Sequence, residues 1–297
     1  MAIDVTKDET EIVVKRRRMG QMMTVLRRLK RNRMAILGSA IVLVVVFTAI
    51  FAPQLSPYNP KEIVLFERYD PPSSKHLLGT DELGRDVLSR LIWGARISMV
   101  VGIVAVLIAS TTGTFLGCIS AYSGGKVDDI IQRFVDIFLS LPFLFVILLA
   151  LQIYPQGGIW MIAFVIGIFS WTGYCRIVRS QILSLKESDY AEAARALGAN
   201  DLRIIFRHLL PNAMNSILVV ATFGIAGAIL TEAGISFLGF GDPTQPSWGQ
   251  MLTRGRDALR YAWWAATFPG LAIFFTVLGF NFFGDGLRDA LDPRLKQ

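Results

Sequence analysis

Runs of about 20 apolar residues constrain this chain more than any other feature of its sequence. A helix of about 20 residues crosses the roughly 30 Å hydrocarbon core of a bilayer. Hydrophobic residues make up 53% of the 297 residues, more than is usual for a soluble domain. The pattern therefore predicts an all-α integral membrane protein with about six transmembrane helices, at residues 34–55, 97–122, 131–154, 158–175, 213–240 and 263–283.

The third run is the least regular of the six. It begins with Gln132, Arg133 and Asp136, and Pro142 interrupts its middle. Membrane helices accept a proline when neighbouring groups satisfy the freed carbonyl. We therefore keep this run as a predicted span.

Lysine and arginine residues predict the orientation of the spans. Ten of them lie in residues 1–33 and six in the predicted loop 176–212, whereas eight lie in the loops of the opposite side. Because cytoplasmic loops carry the excess of Lys and Arg, both termini are predicted to be cytoplasmic. The same distribution argues against a nucleic-acid-binding role for the net charge of +7.

The predicted domain organisation is simple. Residues 1–33 form a basic, amphipathic N-terminal segment, which fits either a helix lying on anionic lipid or a solvated tail that fixes topology. Residues 34–297 form the transmembrane domain, with an external loop at 56–92 and a cytoplasmic loop at 176–212. The two cysteines, Cys118 and Cys175, lie in separate spans and provide no disulfide framework or metal site.

A few polar residues fall inside the predicted spans. Intramembrane charges are costly and suggest function. Glu232 is placed either to contact a transported substrate or to form a hydrogen bond with a neighbouring helix. Thr111 is a candidate for a polar path, or for a small-residue packing interface with Gly113 and Gly117. Arg133 and Asp136, spaced i and i+3, are predicted to pair with each other, although a place in the path stays open.

The loop between the fourth and fifth spans has the strongest local pattern. Asp189 and Glu192 resemble a capping box, and Gly198 provides a left-handed helix end. Asn200 or Asp201 can cap a second helix, whose apolar face would contain Leu202, Ile205, Phe206 and Leu209 and which Pro211 would end. The alanine-rich first helix is thin enough to enter a groove of a partner, although an amphipathic connector lying on the bilayer fits the same spacing.

This loop resembles the signature of the membrane subunits of type I ATP-binding-cassette importers. That signature is Glu-Ala-Ala, three residues, Gly, nine residues, Ile, one residue, Leu-Pro. This chain has Glu192, Ala193, Ala194, Gly198, Leu210 and Pro211 at that spacing. His208 occupies the isoleucine position, as is common in the dipeptide and oligopeptide branch of the family. The segments 78–90, 236–241 with 246–249, and 284–293 resemble the same branch, so the resemblance covers the chain from about residue 24 onward.

The resemblance implies a type I importer permease fold and a bacterial cell-membrane location. It also implies partners: a homologous permease, two ATPase subunits that hold ATP and Mg, and an extracytoplasmic substrate-binding protein. Asp189, Glu192, Ala193, Ala194, Gly198, Leu210 and Pro211 would couple this chain to an ATPase. The implied substrate is a di- or oligopeptide, and nickel and glutathione-like compounds are the alternatives within the branch.

Other classes of function fit the sequence less well. The chain lacks a Gly-x-x-x-x-Gly-Lys-Ser/Thr loop and a His-Glu-x-x-His motif, so it is predicted to have no catalytic residue, no metal and no cofactor of its own. An intramembrane aspartyl protease would need Asp242 and Asp70 to share a site. A stand-alone channel also stays open as a remote alternative.

Overall fold

The computed structural model describes residues 27–154 and 157–291, and within these ranges the regular secondary structure is helical, with one isolated bridge between Thr80 and Asp86. The predicted N-terminal segment falls largely outside the described residues. The helices are α1 Arg33–Ile50, α2 Ala52–Leu55, α3 Val87–Ser123, α4 Gly125–Ser140, α5 Phe143–Ile153, α6 Gly158–Lys186, α7 Asp189–Ala196, α8 Asp201–Phe240, α9 Trp248–Gly255 and α10 Trp264–Leu291.

Five of these helices, α1, α3, α6, α8 and α10, are long and apolar enough to cross a membrane. The pair α4 and α5 makes a sixth crossing if the two helices are counted together. The prediction of an all-α membrane protein with about six spans is therefore confirmed. The boundaries differ, because α3 begins ten residues before the predicted span and α6 continues 11 residues past it.

The third predicted span is broken into two helices at Pro142. Helices α4 and α5 meet at an angle of 86°. Leu141, the residue before Pro142, has an extended conformation with φ −83° and ψ 139°. The proline ring disfavours a helical conformation at the preceding residue, so α4 ends at Ser140 and Pro142 becomes the residue that precedes α5.

The most extensive helix packing joins α3 to α6, and two glycines of α3 let the helices approach closely. A Cβ atom on Gly113 would lie 2.5 Å from Cβ of Tyr174 and 2.6 Å from the backbone oxygen of Trp171, and one on Gly117 would lie 2.7 Å from the oxygen of Cys175. Small residues permit such close approach of membrane helices. The predicted small-residue interface therefore exists and holds α3 against α6.

The two ends of the described chain lie together. Asn32 caps α1 through its Oδ1, which accepts from the backbone N–H groups of Met34 (3.0 Å) and Ala35 (3.2 Å), and its Nδ2 donates to Oδ2 of Asp289 near the end of α10 (3.3 Å). The start of α1 and the end of α10 are thus on the same side of the helix bundle.

Candidate functional site

The loop between α6 and α8 is built around the short helix α7. Gly198 has φ +79°, its N–H donates to the oxygen of Arg195 (2.9 Å), and the N–H of Ala199 donates to the oxygen of Ala194 (3.0 Å). These two bonds with a left-handed glycine form a Schellman motif. The predicted helix end is confirmed, and Asn200 caps α8 by accepting from the N–H of Arg203 (2.9 Å).

The predicted capping box is wrong in detail. The residue that precedes α7 is Ser188, and its side chain makes no capping bond to the helix. Its hydroxyl donates to the backbone oxygen of Leu185 (2.5 Å). Asp189 and Glu192 lie instead in the first turn of α7, where carboxylates interact favourably with the helix dipole.

Helix α7 packs against the bundle through small side chains, with Ala191 buried and Ala194 partly buried. Ala191 is 0% exposed and lies in a cluster with Cys118, Val178, Ile204 and Leu209, which come from α3, α6 and α8. Glu192 and Ala193 are exposed, and Ala194 is half-buried. The helix therefore turns its signature residues toward solvent while its backbone lies against three long helices.

The second part of the loop does not form a separate helix, which corrects the sequence-based prediction. Helix α8 runs from Asp201 to Phe240 through Pro211. A π-helical turn at Ile205–Leu209 precedes the proline, and the N–H of Leu210 donates to the oxygen of Ile205. The wider turn accommodates a residue that has no N–H to donate, so Pro211 does not end the helix.

The same π turn changes which side chains are buried. Ile204 and Leu209 are 0% exposed, whereas Leu202 and Phe206 of the predicted apolar face are 66% and 62% exposed. Leu210 is half-buried and Pro211 is exposed. The π turn has more residues per turn than an α-helix, and the predicted i, i+3, i+4, i+7 face is therefore lost.

We define the coupling surface as Tyr190, Glu192, Leu197, Leu202 and Phe206. All five side chains are exposed, and Leu197 is 87% exposed. Large apolar side chains that cluster on an exposed surface mark sites of protein interaction. The sequence identified Glu192 through its motif, but it did not identify Leu197 or the exposure of Phe206.

Polar contacts connect the loop between α6 and α8 to the spans. The hydroxyl of Tyr122 donates to Oδ1 of Asp201 (2.5 Å), Nη2 of Arg195 donates to the oxygen of Lys186 (2.8 Å), and Nζ of Lys186 donates to the oxygen of Tyr122 (3.2 Å). The end of α3, the end of α6, helix α7 and the start of α8 therefore form one hydrogen-bonded unit.

Asp136 pairs across helices, which corrects the predicted Arg133–Asp136 pair. Nη2 of Arg176 in α6 lies 2.5 Å from Oδ1 of Asp136 in α4. Arg133 is exposed and makes no ion pair within the described ranges. The reason is that α4 lies beside α6, whose Arg176 and Arg179 face the carboxylates of Asp136 and Asp128.

Glu232 is buried within the bundle at 2% exposure. Its Oε1 accepts from the hydroxyl of Ser236 (2.7 Å) and its Oε2 from the hydroxyl of Ser98 in α3 (3.4 Å). These contacts favour a role for Glu232 in joining α8 to α3 over a role in contacting a substrate. Thr111 lies on an exposed face of α3, and its hydroxyl donates to the backbone oxygen of Leu107 in the same helix.

The loop at residues 56–86 is held by hydrogen bonds of His76 that sequence reasoning did not identify. Both ring nitrogens of His76 contact carboxylates, with Nδ1 2.9 Å from Oδ1 of Asp86 and Nε2 2.9 Å from Oε2 of Glu67. The pKa of Glu67 is lowered mainly by the hydrogen bond from Lys75, and the hydrogen bond from His76 is the next largest cause. The segment 78–90, noted for its family resemblance, thus organises this loop.

A second set of ionic contacts joins the loop to α3 and α9. Nε of Arg85 donates to Oδ2 of Asp81 (2.8 Å), and Nη2 of Arg85 donates to Oε1 of Glu82 (2.6 Å). Arg254 of α9 shares that Oε1 atom (3.0 Å), and Arg90 lies 3.3 Å from Oδ2 of Asp81. Three guanidinium groups therefore face two carboxylates.

Two family models match this chain. Residues 113–297 match the model described as binding-protein-dependent transport system inner membrane component, and residues 20–72 match the N-terminal TM domain of oligopeptide transport permease C. The first family is one of transport permeases and is not an enzyme family.

Curated relatives from several bacteria cover most of the chain. The oligopeptide transport system permease protein OppC of Bacillus subtilis is 42% identical over 91% of this chain and 88% of its own length. The glutathione transport system permease protein GsiD of Pectobacterium atrosepticum is 43% identical, with 91% and 90% covered. The di/tripeptide transport system permease protein DppC of Pseudomonas aeruginosa is 42% identical, with 89% of each chain covered.

Helices, signature loop and relatives all point to one assignment. The chain belongs to the family of inner membrane components of binding-protein-dependent transport systems, and it is a permease subunit of an ATP-binding-cassette importer.

Proposed function

We propose that this chain carries di- and oligopeptides inward across the bacterial cell membrane. It forms the translocation path together with a homologous permease, and an extracytoplasmic binding protein delivers the peptide. The observation that carries the proposal is the exposed helix α7 at the family signature, in a chain whose relatives include permeases named for oligopeptide and di/tripeptide transport.

In this proposal, α7 transmits the movement of an ATPase subunit, which holds ATP and Mg. The exposed side chains of the coupling surface contact the ATPase, and buried Ala191 transfers the displacement to α3, α6 and α8. Since packed helices move as rigid bodies between discrete arrangements, a displacement of α7 can switch the path between outward and inward access. Glu192, Ala193, Ala194 and Gly198 form the docking element, with Asp189 at its start, and Leu210 and Pro211 follow within α8 after its π turn.

The proposed orientation places both termini and the coupling surface in the cytoplasm. The contact between Asn32 and Asp289 supports a common side for the termini, and the basic loops support the cytoplasm as that side. The 56–86 loop, which is shorter than predicted because α3 begins at Val87, then lies outside the cell.

Glutathione or a glutathione-like peptide is the second candidate substrate. The observation in its favour is the relative from Pectobacterium atrosepticum, which is named for glutathione transport and is as similar to this chain as the peptide permeases are. Transport of nickel is supported only by the resemblance noted from the sequence.

Uptake of labelled di- and oligopeptides and of labelled glutathione tests the proposal in cells that lack this chain. We expect peptide uptake to fall and to return with the wild-type chain. The Glu192→Lys variant should reach the membrane in its complex but fail to restore uptake. Glu187→Lys is the matched control, since Glu187 is exposed and precedes α7. Unchanged peptide uptake without the chain would refute the substrate assignment, and full uptake with Glu192→Lys would refute the docking role.

A further inference from the structure

A cavity of about 500 Å³ lies between the end of α5, the start of α6 and the segment 236–254. Its size is within the range of small-molecule binding sites. We propose that this cavity binds a short peptide through its peptide bond and its two charged ends. The proposal rests on the proposed peptide-import function and adds a substrate site on this subunit.

Gln250 provides the first observation that points to a ligand. It lines the cavity and is 8% exposed. Its backbone N–H donates to Oγ of Ser247 (3.3 Å), and its side-chain amide forms no hydrogen bond with the other described residues. The residual exposure of Gln250 includes its amide atoms, which therefore open onto the cavity. A primary amide offers both a donor and an acceptor, which are the two groups that a peptide bond needs.

Arg254 provides a positive charge at the same wall. One of its nitrogens, Nη1, is bonded to Glu82, but that carboxylate is shared with Arg85. Among the described residues, Arg85, Arg90 and Arg254 pair with two carboxylates, those of Asp81 and Glu82, so the cluster keeps an excess positive charge. The side chain of Arg254 is 30% exposed and lines the cavity. Its remaining N–H groups can bind the carboxylate end of a peptide.

Asp242 provides the opposite charge. Its Oδ1 accepts from the N–H (2.8 Å) and the hydroxyl (2.6 Å) of Thr244, while its Oδ2 accepts no hydrogen bond from the described residues and lies beside Gly158. A peptide with a free amino end offers the ammonium group that such an oxygen can bind. The cavity therefore has one positive and one negative side chain, which complement the two charged ends of a zwitterionic peptide.

The remaining walls are largely apolar. Met161 and Ile162 of α6 and Phe240 of α8 line the cavity together with the polar groups. Gly239, with φ +94°, ends α8 and lets the chain leave the helix next to this wall. Apolar walls with a few convergent polar groups suit the apolar side chains of a short peptide.

Photo-crosslinking tests the site in the complete importer, reconstituted in liposomes with its partner subunits. The probe is a dipeptide with free ends and a diazirine side chain, and crosslinked residues are located by mass spectrometry. We expect label in residues 151–154, 158–162 and 236–254. An unlabelled dipeptide should prevent this labelling, and the same dipeptide with an acetylated amine and an amidated carboxylate should not.

Two variants assign the effect to the cavity. Gln250→Leu should raise the probe concentration for half-maximal labelling by about two- to tenfold, as expected for one lost hydrogen bond. Gln245→Leu is the matched control, because Gln245 lies in the same segment but does not line the cavity, and it should label like the wild type. The yield of assembled complex verifies that each variant folds.

Each alternative result has a distinct meaning. If the wild-type importer transports the dipeptide but the label falls elsewhere, the cavity proposal is wrong and the proposed function stands. Labelling of the cavity that the blocked dipeptide prevents equally well would also overturn the proposal, because the charged ends would not matter. If the importer transports no peptide, the proposed function itself fails.

Discussion

Arg179 of α6 and Asp128 of α4 form a two-pronged ion pair, with Nε 2.7 Å from Oδ1 and Nη2 2.5 Å from Oδ2. Their side chains are 32% and 15% exposed, whereas those of the neighbouring pair Arg176 and Asp136 are 52% and 65% exposed. The first pair therefore fixes α4 against α6 more firmly than the second.

Asp128→Asn should lower the thermal stability of the purified importer more than Asp136→Asn does. A hydrogen-bonded charge pair contributes about 1.5–3 kcal/mol, and an exposed pair contributes less than about 1 kcal/mol. Thermal unfolding followed by intrinsic fluorescence measures the difference. The double variant Asp128→Asn, Arg179→Gln should lose less thermal stability than the two single variants lose when their decreases are added. Additive losses would show that the two residues do not interact.

Gly198→Val should abolish most uptake while the complex still assembles. The left-handed conformation at φ +79° costs a residue with a Cβ atom roughly 1–2 kcal/mol, so the Schellman motif opens and α7 loses its position. Gly198→Asn should retain more uptake, because asparagine adopts this conformation more readily. Gly173→Ala is the control, since nothing lies within 4 Å of the added Cβ. Normal peptide uptake with Gly198→Val would contradict the need for this helix end.

Gly113→Leu should prevent accumulation of the permease in the membrane. The added side chain would overlap Tyr174 and the backbone of α6, where the Cβ atom alone lies 2.5 Å from Cβ of Tyr174. Immunodetection of the membrane fraction measures the amount of chain. Gly227→Ala in α8 provides the comparison, because the space around it is open. Equal amounts of both variants would show that α3 and α6 can separate at this point.

The 56–86 loop should loosen at acidic pH. Its contacts to Lys75 and His76 lower the pKa of Glu67 from the ordinary value of 4.5. A lowered pKa means that the stabilisation is complete above pH 4.5 and is lost as the pH falls through the lower folded-state pKa. Limited proteolysis of the loop in vesicles should therefore accelerate below about pH 4.5.

Glu67→Gln tests the assignment of this pH effect. The variant should be cleaved faster than the wild type at pH 7 and should lack the acceleration that comes from Glu67. An unchanged pH profile in Glu67→Gln would assign the effect to another group.

Much of the candidate site could be predicted from short-range patterns. The end of α7 at Gly198 and the cap of α8 at Asn200 depend on bonds between residues within five positions of each other, and both are present. The box at Asp189 was wrong by one residue, because α7 begins at Asp189 and the preceding residue is Ser188. The cavity around Gln250 could not be predicted, since its walls come from three separate segments.

The sequence by itself determined the class of the protein, its long apolar helices and the family signature at Glu192 and Gly198. These follow from composition, hydrophobic length and local caps, which act within one helix. Only the tertiary structure decided the 86° angle between α4 and α5, the continuity of α8 through Pro211 and the pairing of Asp136 with Arg176. The physical reason is that these features depend on which helix faces meet, and that choice is made by the packing of the whole bundle.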